Sequence, residues 1–355
     1  MKLFESYQLG KIKLNNRIVM APMTRSRAIN NIPNDLMAKY YEQRATAGLI
    51  ITEGTSPSPN GLGYARIPGI FSQEQINGWK KVTEAVHSKG GKIFMQLMHT
   101  GRVSHPANMP SNTVIMTSSA VKLSGQVWTD TQGMQDYALP REMTEADIKN
   151  TIAEFGLAAE NAIKAGMDGI ELHSANGYLL EQFLNPNCNH RTDNYGGSPE
   201  NRMRFVLEVA KAVVTKIGAD KVGIRLSPYG VFNDMGAFEG VDEFYATLAQ
   251  KLSELGLIYI HIVDHSAMGA PAVKPEVKKL IRDNFKGTYI LSGGYETSEK
   301  AEADLLEGKG DLVAIGRPFI SNPDLVNKLN HKLPLTSSDF NTFYTPGEQG
   351  YTDYL

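Results

Sequence analysis

The chain is poor in cysteine. Its 355 residues hold one, Cys188, so an intramolecular disulfide, an iron–sulfur cluster and a cysteine-based zinc site are all excluded within one chain. It also lacks a dominant charge: 36 basic against 38 acidic side chains leave a formal net charge of -2. That balance gives no electrostatic basis for nucleic acid or an anionic membrane as a partner. No run approaches the ~18 apolar residues of a membrane helix. The start, Met1-Lys-Leu-Phe-Glu5, meets a charge after two apolar residues, which argues against a signal-peptide core. Internal repeats beyond a strand–helix alternation are absent, as are low-complexity tracts. The expectation is a cytoplasmic protein whose oligomeric state stays open.

What the chain does have is a regular alternation of short apolar runs with longer amphipathic ones. Arg17–Met20, Leu49–Thr52, Lys92–Leu97, Gly169–His173, Val222–Leu226, Tyr259–Val263, Thr288–Ser292 and Leu312–Ile315 read as strands. Eight βα repeats imply a closed parallel barrel. Thr144-Glu-Ala-Asp147 resembles a capping box ahead of a helix, and Ser198-Pro199 places an N-cap before a proline at the first helical position. The reading is one (β/α)8 domain over 1–355. Two regions break the pattern: 103–143, a proline- and serine-rich stretch expected to cap the site after strand three, and 333–355, an aromatic tail expected to lie over it.

In such a barrel, chemistry collects at the C-terminal strand ends. Strand one ends in Ala21-Pro22-Met23-Thr24, strand two in Glu53-Gly54, and strand three runs through Gln96, Met98 and His99. Strand four leads into His173-Ser-Ala-Asn176-Gly-Tyr178, and strand five carries Arg225. His173 and Asn176 offer two hydrogen-bond donors to one oxygen, and Tyr178 adds a phenolic proton, a set suited to polarising a carbonyl and protonating the carbon beside it. Gly293-Gly294 after strand seven and Gly316-Arg317 after strand eight match the phosphate site that barrels build there, although glycines also simply turn chains. Arg225 inside an apolar strand needs an anion. Either Glu171, which shares strand parity with His173, or a bound cofactor ring would supply it, and both can hold.

Met20-Ala-Pro-Met-Thr-Arg25, Gln96-Leu-Met-His-Thr-Gly-Arg102, His173–Tyr178, Asn189-His-Arg-Thr-Asp-Asn-Tyr-Gly-Gly-Ser198, Gly223-Ile-Arg-Leu-Ser-Pro228, Ala314-Ile-Gly-Arg-Pro-Phe319 and Gly350-Tyr-Thr-Asp-Tyr354 resemble, in order, motifs of the Old Yellow Enzyme family. The resemblance implies an FMN-dependent enzyme that takes hydride from NADPH or NADH. By a ping-pong sequence it would then reduce activated C=C bonds of α,β-unsaturated carbonyl compounds. Nitro compounds or nitrate esters are possible further acceptors, and phenols are expected inhibitors.

By the same resemblance, Ala21, Pro22, Met23, Thr24, Gly54, Gln96 and Arg225 would hold the flavin ring, Thr24 marking the branch with threonine there. Gly293, Gly294, Gly316 and Arg317 would hold its phosphate. His173 and Asn176 would bind the substrate carbonyl, Tyr178 would give the proton, and Tyr64 and Tyr351 would wall the pocket. Arg191, Asp193 and Gly196-Gly197 are read as structural. Met98 stands where many relatives carry tryptophan, so a flexible thioether is expected to make the pocket wall adaptable. The competing readings are a metal-dependent barrel lyase or hydrolase using His99, His173 and Glu171, and a non-catalytic flavin-binding protein. The absence of His-x-His and H-E-x-x-H spacings disfavours the first.

Overall fold

Short β-branched and aliphatic runs bounded by glycines and polar turns fold as the strands expected of them. The structure, a computed structural model, describes residues 1–354; Leu355, the last residue of the expected tail, lies outside the described residues. Strands β1 (Ile18–Met20), β2 (Leu49–Ile51), β3 (Ile93–Leu97), β4 (Gly169–Ser174), β5 (Val222–Leu226), β6 (Tyr259–Ile262), β7 (Thr288–Leu291) and β8 (Leu312–Ile315) form a closed barrel, each parallel to its neighbour, with β8 returning to β1. The helices that follow them are α1 (Asp35–Glu42), α2 (Gln73–Ser88), α3 (Glu145–Lys164), α4 (Pro199–Ile217), α5 (Val241–Glu254), α6 (Pro275–Asn284), α7 (Ser298–Leu306) and α8 (Leu325–His331). This is the (β/α)8 barrel expected from the sequence.

Strand parity sorts the side chains into two cores. Ile170, Leu172, Ile224 and Leu226 face outward and pack with the helices, whereas Val19, Leu49, Ile51, Phe94, Ile290, Leu312 and Ala314 fill the barrel. A hairpin of Tyr7–Leu9 and Ile12–Leu14 adds Leu9 and Leu14 to that inner cluster and closes the N-terminal end. The helix starts are as read. Thr144 and Asp147 form a reciprocal capping box for α3, and Ser198 accepts from the Asn201 N–H at the start of α4.

Residues 103–143 carry two small sheets, an antiparallel hairpin of Gln126–Thr129 with Gly133–Asp136 and a parallel pairing of Met116–Thr117 with Arg141–Glu142. Val103, Leu123, Val127 and Tyr137 make a local core that packs against Tyr64 and Tyr178. Arg191 clamps Asp193 through two bonds, of 3.0 and 2.5 Å, and reaches the carbonyls of Ser118 and Met143, so it orders the loop after β4 against this segment.

The tail is anchored by buried arginines. Arg25 donates to the carbonyls of Phe343 and Gly350, and Arg27 to those of Thr342, Phe343 and Gln349. Backbone carbonyls thus satisfy guanidinium groups that would be costly to bury unpaired. No helix among the described residues is long and apolar enough to cross a membrane.

Candidate active site

One side of the barrel interior is polar. By parity and register, Gln96, Glu171, His173, Arg225 and His261 come from consecutive strands, with Gln96 opposite Glu171, His173 opposite Arg225, and Arg225 opposite His261. Glu171 is fully buried and accepts from Gln96 Nε2 at 2.8 Å and meets His261 Nδ1 at 2.9 Å. Burial pushes its carboxyl upward, but His261, Arg225 and Gln96 outweigh that and hold it below the usual range. Glu171 is therefore the ionised centre of this cluster. Burial in turn keeps His261 below the ordinary histidine value.

Arg225 is 6% exposed, and its Nε has no partner. It feels the charge of Glu171 without a direct hydrogen bond among the described residues, so the guanidinium stays free to face a ligand. His173 is buried, with Nδ1 unpartnered. Burial first, then the charge of Arg225, keeps its imidazole well below the usual value and so neutral.

The turn after β4 is left-handed, not helical. Asn176 (φ 58°) and Gly177 (φ 75°) are both left-handed, a conformation asparagine and glycine tolerate best. Three partners hold Asn176 there: its N–H donates to Ser227 Oγ (2.9 Å), its carbonyl accepts from Asn233 Nδ2 (2.7 Å), and its Oδ1 lies 3.1 Å from His265 Nε2. Glu181 fastens the same turn by accepting from the Gly177 N–H (2.6 Å) and the Ser227 hydroxyl (2.7 Å). Burial raises the Glu181 carboxyl to about 7.

Tyr178 follows at the N-terminus of the short helix Leu179–Leu184. Its ring meets that of His173 edge-on at 4.9 Å, and its hydroxyl lies 3.1 Å from that of Tyr64. Two phenols sharing one bond leave one proton to spare. Burial pushes the Tyr178 phenol up to about 12, the bond to Tyr64 opposing it.

Two cavities meet here. One, of about 290 Å³, runs from Ala21–Thr24, Asn176 and Arg225 to Gly293, Gly294, Gly316 and Arg317. The other, of about 580 Å³, lies between Tyr64, Tyr178, the 126–136 hairpin and the tail, and both are lined by Thr24 and Tyr344. The far end of the first is suited to an anion. Gly293 (φ 131°) and Gly294 (φ 67°) adopt backbone conformations that favour glycine, and Lys300 Nζ donates to both of their carbonyls. Arg317 makes no ion pair there among the described residues.

Comparison with known proteins settles the ancestry of this arrangement. The model of the NADH:flavin oxidoreductase / NADH oxidase family matches residues 2–336. The chain belongs to that family. It is 40% identical over 372 residues to 12-oxophytodienoate reductase 7 of Oryza sativa subsp. japonica, covering 99% of this chain and 94% of the relative. To the chanoclavine-I aldehyde reductase of Penicillium roqueforti it is 41% identical, with 99% and 96% covered. Among solved structures, morphinone reductase superposes with a TM-score of 0.95 at 41% identity, covering 99% of this chain and 96% of that one. The old yellow enzyme homologue of Zymomonas mobilis gives 0.95 at 37%, with 100% and 99% covered. Another morphinone reductase structure contains tetrahydroNAD. This chain is accordingly an NAD(P)H-dependent flavin oxidoreductase of the Old Yellow Enzyme type.

FMN, the family's cofactor, fits the residues present. Arg225 lines the first cavity with its buried Nε unpartnered, and the Gly293-Gly294 and Gly316-Arg317 loops at its far end would supply backbone and cation for a phosphate. Gln96 is buried beside this wall with its amide N–H₂ given to Glu171. Gly54 and Met98 press on each other, since a Cβ at Gly54 would meet the Met98 sulfur at 2.5 Å. Met98 packs with Leu62 and Ile67, beside Tyr64 and Tyr178.

One expected wall residue lies elsewhere. Tyr351 is fully buried, stacked on Tyr40 at 4.0 Å with the guanidinium of Arg27 4.7 Å from its ring, because the Arg25 and Arg27 anchors turn that part of the tail inward. Tyr344 is the tail residue that reaches both cavities. The sequence reading also missed Glu181, Ser227, His261 and His265. The run Asp264-His265-Ser266 at the end of β6 was a polar strand end of the same kind as the others, and could have been flagged.

Proposed function

We propose that the enzyme reduces C=C bonds conjugated to a carbonyl, with NADPH or NADH as donor, and that the turn after β4 recognises the acceptor. The observation that carries this reading is that neutral His173 packs edge-on against Tyr178, whose spare proton borders one cavity, while the Asn176 carboxamide of the same turn lines the other. The chemistry a bound FMN would supply is hydride transfer, inward from the nicotinamide and outward to the activated alkene.

The protein residues do the rest. His173 and Asn176 donate to the carbonyl oxygen and draw charge towards it, which activates the β-carbon. Tyr178 holds the proton for the α-carbon, and its pKa of about 12 keeps that proton in place across the working pH range. Thr24, Gln96 and Arg225 would hold the flavin ring, with Arg225 offsetting negative charge on its reduced form. Gly293, Gly294, Gly316 and Arg317 would bind its phosphate, and Ala21, Pro22 and Met23 would line its edge. Tyr64 and Met98 shape the acceptor pocket, with Met98 acting from behind the phenols. Nitro compounds and nitrate esters are further acceptors for the same donors, and phenols are inhibitors that hydrogen-bond at the carbonyl site. The proposal extends to one functional domain over 1–355 with 103–143 as its cap, working in the cytoplasm.

An anaerobic absorbance titration tests this. The purified protein should be yellow, bleach with NADPH or NADH, and regain colour with 2-cyclohexenone. Bleaching without recovery would overturn the acceptor reading and favour a flavin-binding protein without ene-reductase activity.

A further inference from the structure

The larger cavity exceeds what a small cyclic enone needs. Its outer walls are two large aromatic side chains left in water on separate segments: Trp128 of the hairpin, 53% exposed, and Phe340 of the tail, 64% exposed. Neither is required to complete a core, and both stand across the same space. At its inner end the cavity reaches Thr24, Tyr64 and Tyr178, so it is continuous with the acceptor site.

Its charge is already spent. Arg66 is the one charged side chain among the described lining residues. It is paired with Asp130 and donates to the carbonyls of Ser26 (2.9 Å) and Tyr344 (2.7 Å). The same Asp130 accepts from the Trp128 indole N–H at 3.1 Å. One guanidinium therefore braces hairpin and tail together and fixes the indole. The walls are held in place before a ligand arrives, and no free cation is left to receive an anionic group.

We propose that this cavity is a distal subsite for the neutral, flat, aromatic or polycyclic end of an acceptor whose carbonyl sits at His173 and Asn176. The assignment rests on the ene-reductase reading above. Trp128 and Phe340 sandwich the apolar end, and the neutralised Arg66 disfavours acceptors that end in a carboxylate.

The test uses the flavin-loaded enzyme with 2-cyclohexenone, 4-phenylbut-3-en-2-one and the para-carboxylate of the latter. Trp128→Ala and Phe340→Ala should each raise KM for the neutral aryl enone about tenfold relative to 2-cyclohexenone. The wild type should show a KM about tenfold lower for the neutral aryl enone than for its carboxylate. Equal changes for both enones, or equal KM for the neutral and anionic pair, would overturn the subsite. Binding is read separately from turnover, by quenching of tryptophan emission with the aryl enone and loss of that quenching in Trp128→Phe. Quenching without turnover would sustain the subsite while removing the reductase reading, whereas turnover without quenching would remove the subsite alone.

Discussion

His265 holds Asn176 by the oxygen of its carboxamide. Nε2 and Oδ1 lie 3.1 Å apart, and burial, reinforced by Arg225, lowers the imidazole to about 4. The ring is therefore neutral at pH 7 and donates from Nε2. With the oxygen engaged, the amide N–H₂ is left free to donate, as the role proposed for Asn176 requires. His265 touches no reacting atom and acts by positioning.

Removing that bond should loosen substrate binding more than chemistry. His265→Phe keeps the ring volume and removes the donor, and should raise KM for 2-cyclohexenone about fivefold, near the worth of one hydrogen bond. His265→Gln retains a donor and should restore most of the loss. Steady-state kinetics on the pair decides the point: a purely structural ring would leave the two variants alike.

Tyr178→Phe should lower enone turnover about 10²–10⁴-fold while NAD(P)H-driven bleaching stays at the wild-type rate. Both half-reactions, followed by stopped flow, separate these effects.

The pH profile follows from the same residues. Tyr178 keeps its proton up to about pH 12, and His173 stays uncharged until well below its ordinary value. In Glu181→Gln, which removes the group of this turn that titrates near 7, enone reduction should consequently be flat from about pH 6 to 9. A break near pH 6.5 in that variant would show that His173 titrates as an exposed imidazole does.

Glu181 links the catalytic turn to stability. Its folded-state value of about 7 lies above the ordinary carboxylate value, so the folded protein holds this proton more tightly than the unfolded chain. Its contribution is fully present below about pH 4.5 and is lost as pH rises through about 7. Glu181→Gln removes that titration and should stand about 2–3 kcal/mol above the wild type at pH 9 relative to their difference at pH 5. Chemical denaturation at the two pH values measures it.

Gly350→Ala should unseat the tail. Gly350 sits at φ 64°, and a methyl there would collide with Thr342 Oγ1. A fall of several degrees in Tm and faster proteolysis after residue 340 are expected, since strain and clash act together.

Much of this was legible in the sequence. Val222–Leu226 and Leu312–Ile315 are bounded in the structure as they were read, because a buried parallel strand is a continuous apolar run with sharp polar edges. The 7–14 hairpin and the cap sheets escaped notice, since their short strands mix polar with apolar residues and lack the continuous apolar run of the barrel strands. His173, Asn176 and Tyr178 announced themselves by crowding one strand end. Ser227 and His265 did not, because their link to that turn exists only once β4, β5 and β6 lie side by side; Glu181, four residues from Gly177, reads in Leu179–Leu184 as an ordinary polar helix residue. Tyr351 misled for a similar reason: a tyrosine in a recognisable motif says nothing of which way buried Arg25 and Arg27 will bend the chain.

The side chains that fill the barrel, with Leu9 and Leu14 of the hairpin behind them, close the strand-end cavities off from the opposite end of the barrel. If donor and acceptor share those cavities, as the proposed reaction requires, each must leave before the other enters. A flat guest lodged there should then compete with both.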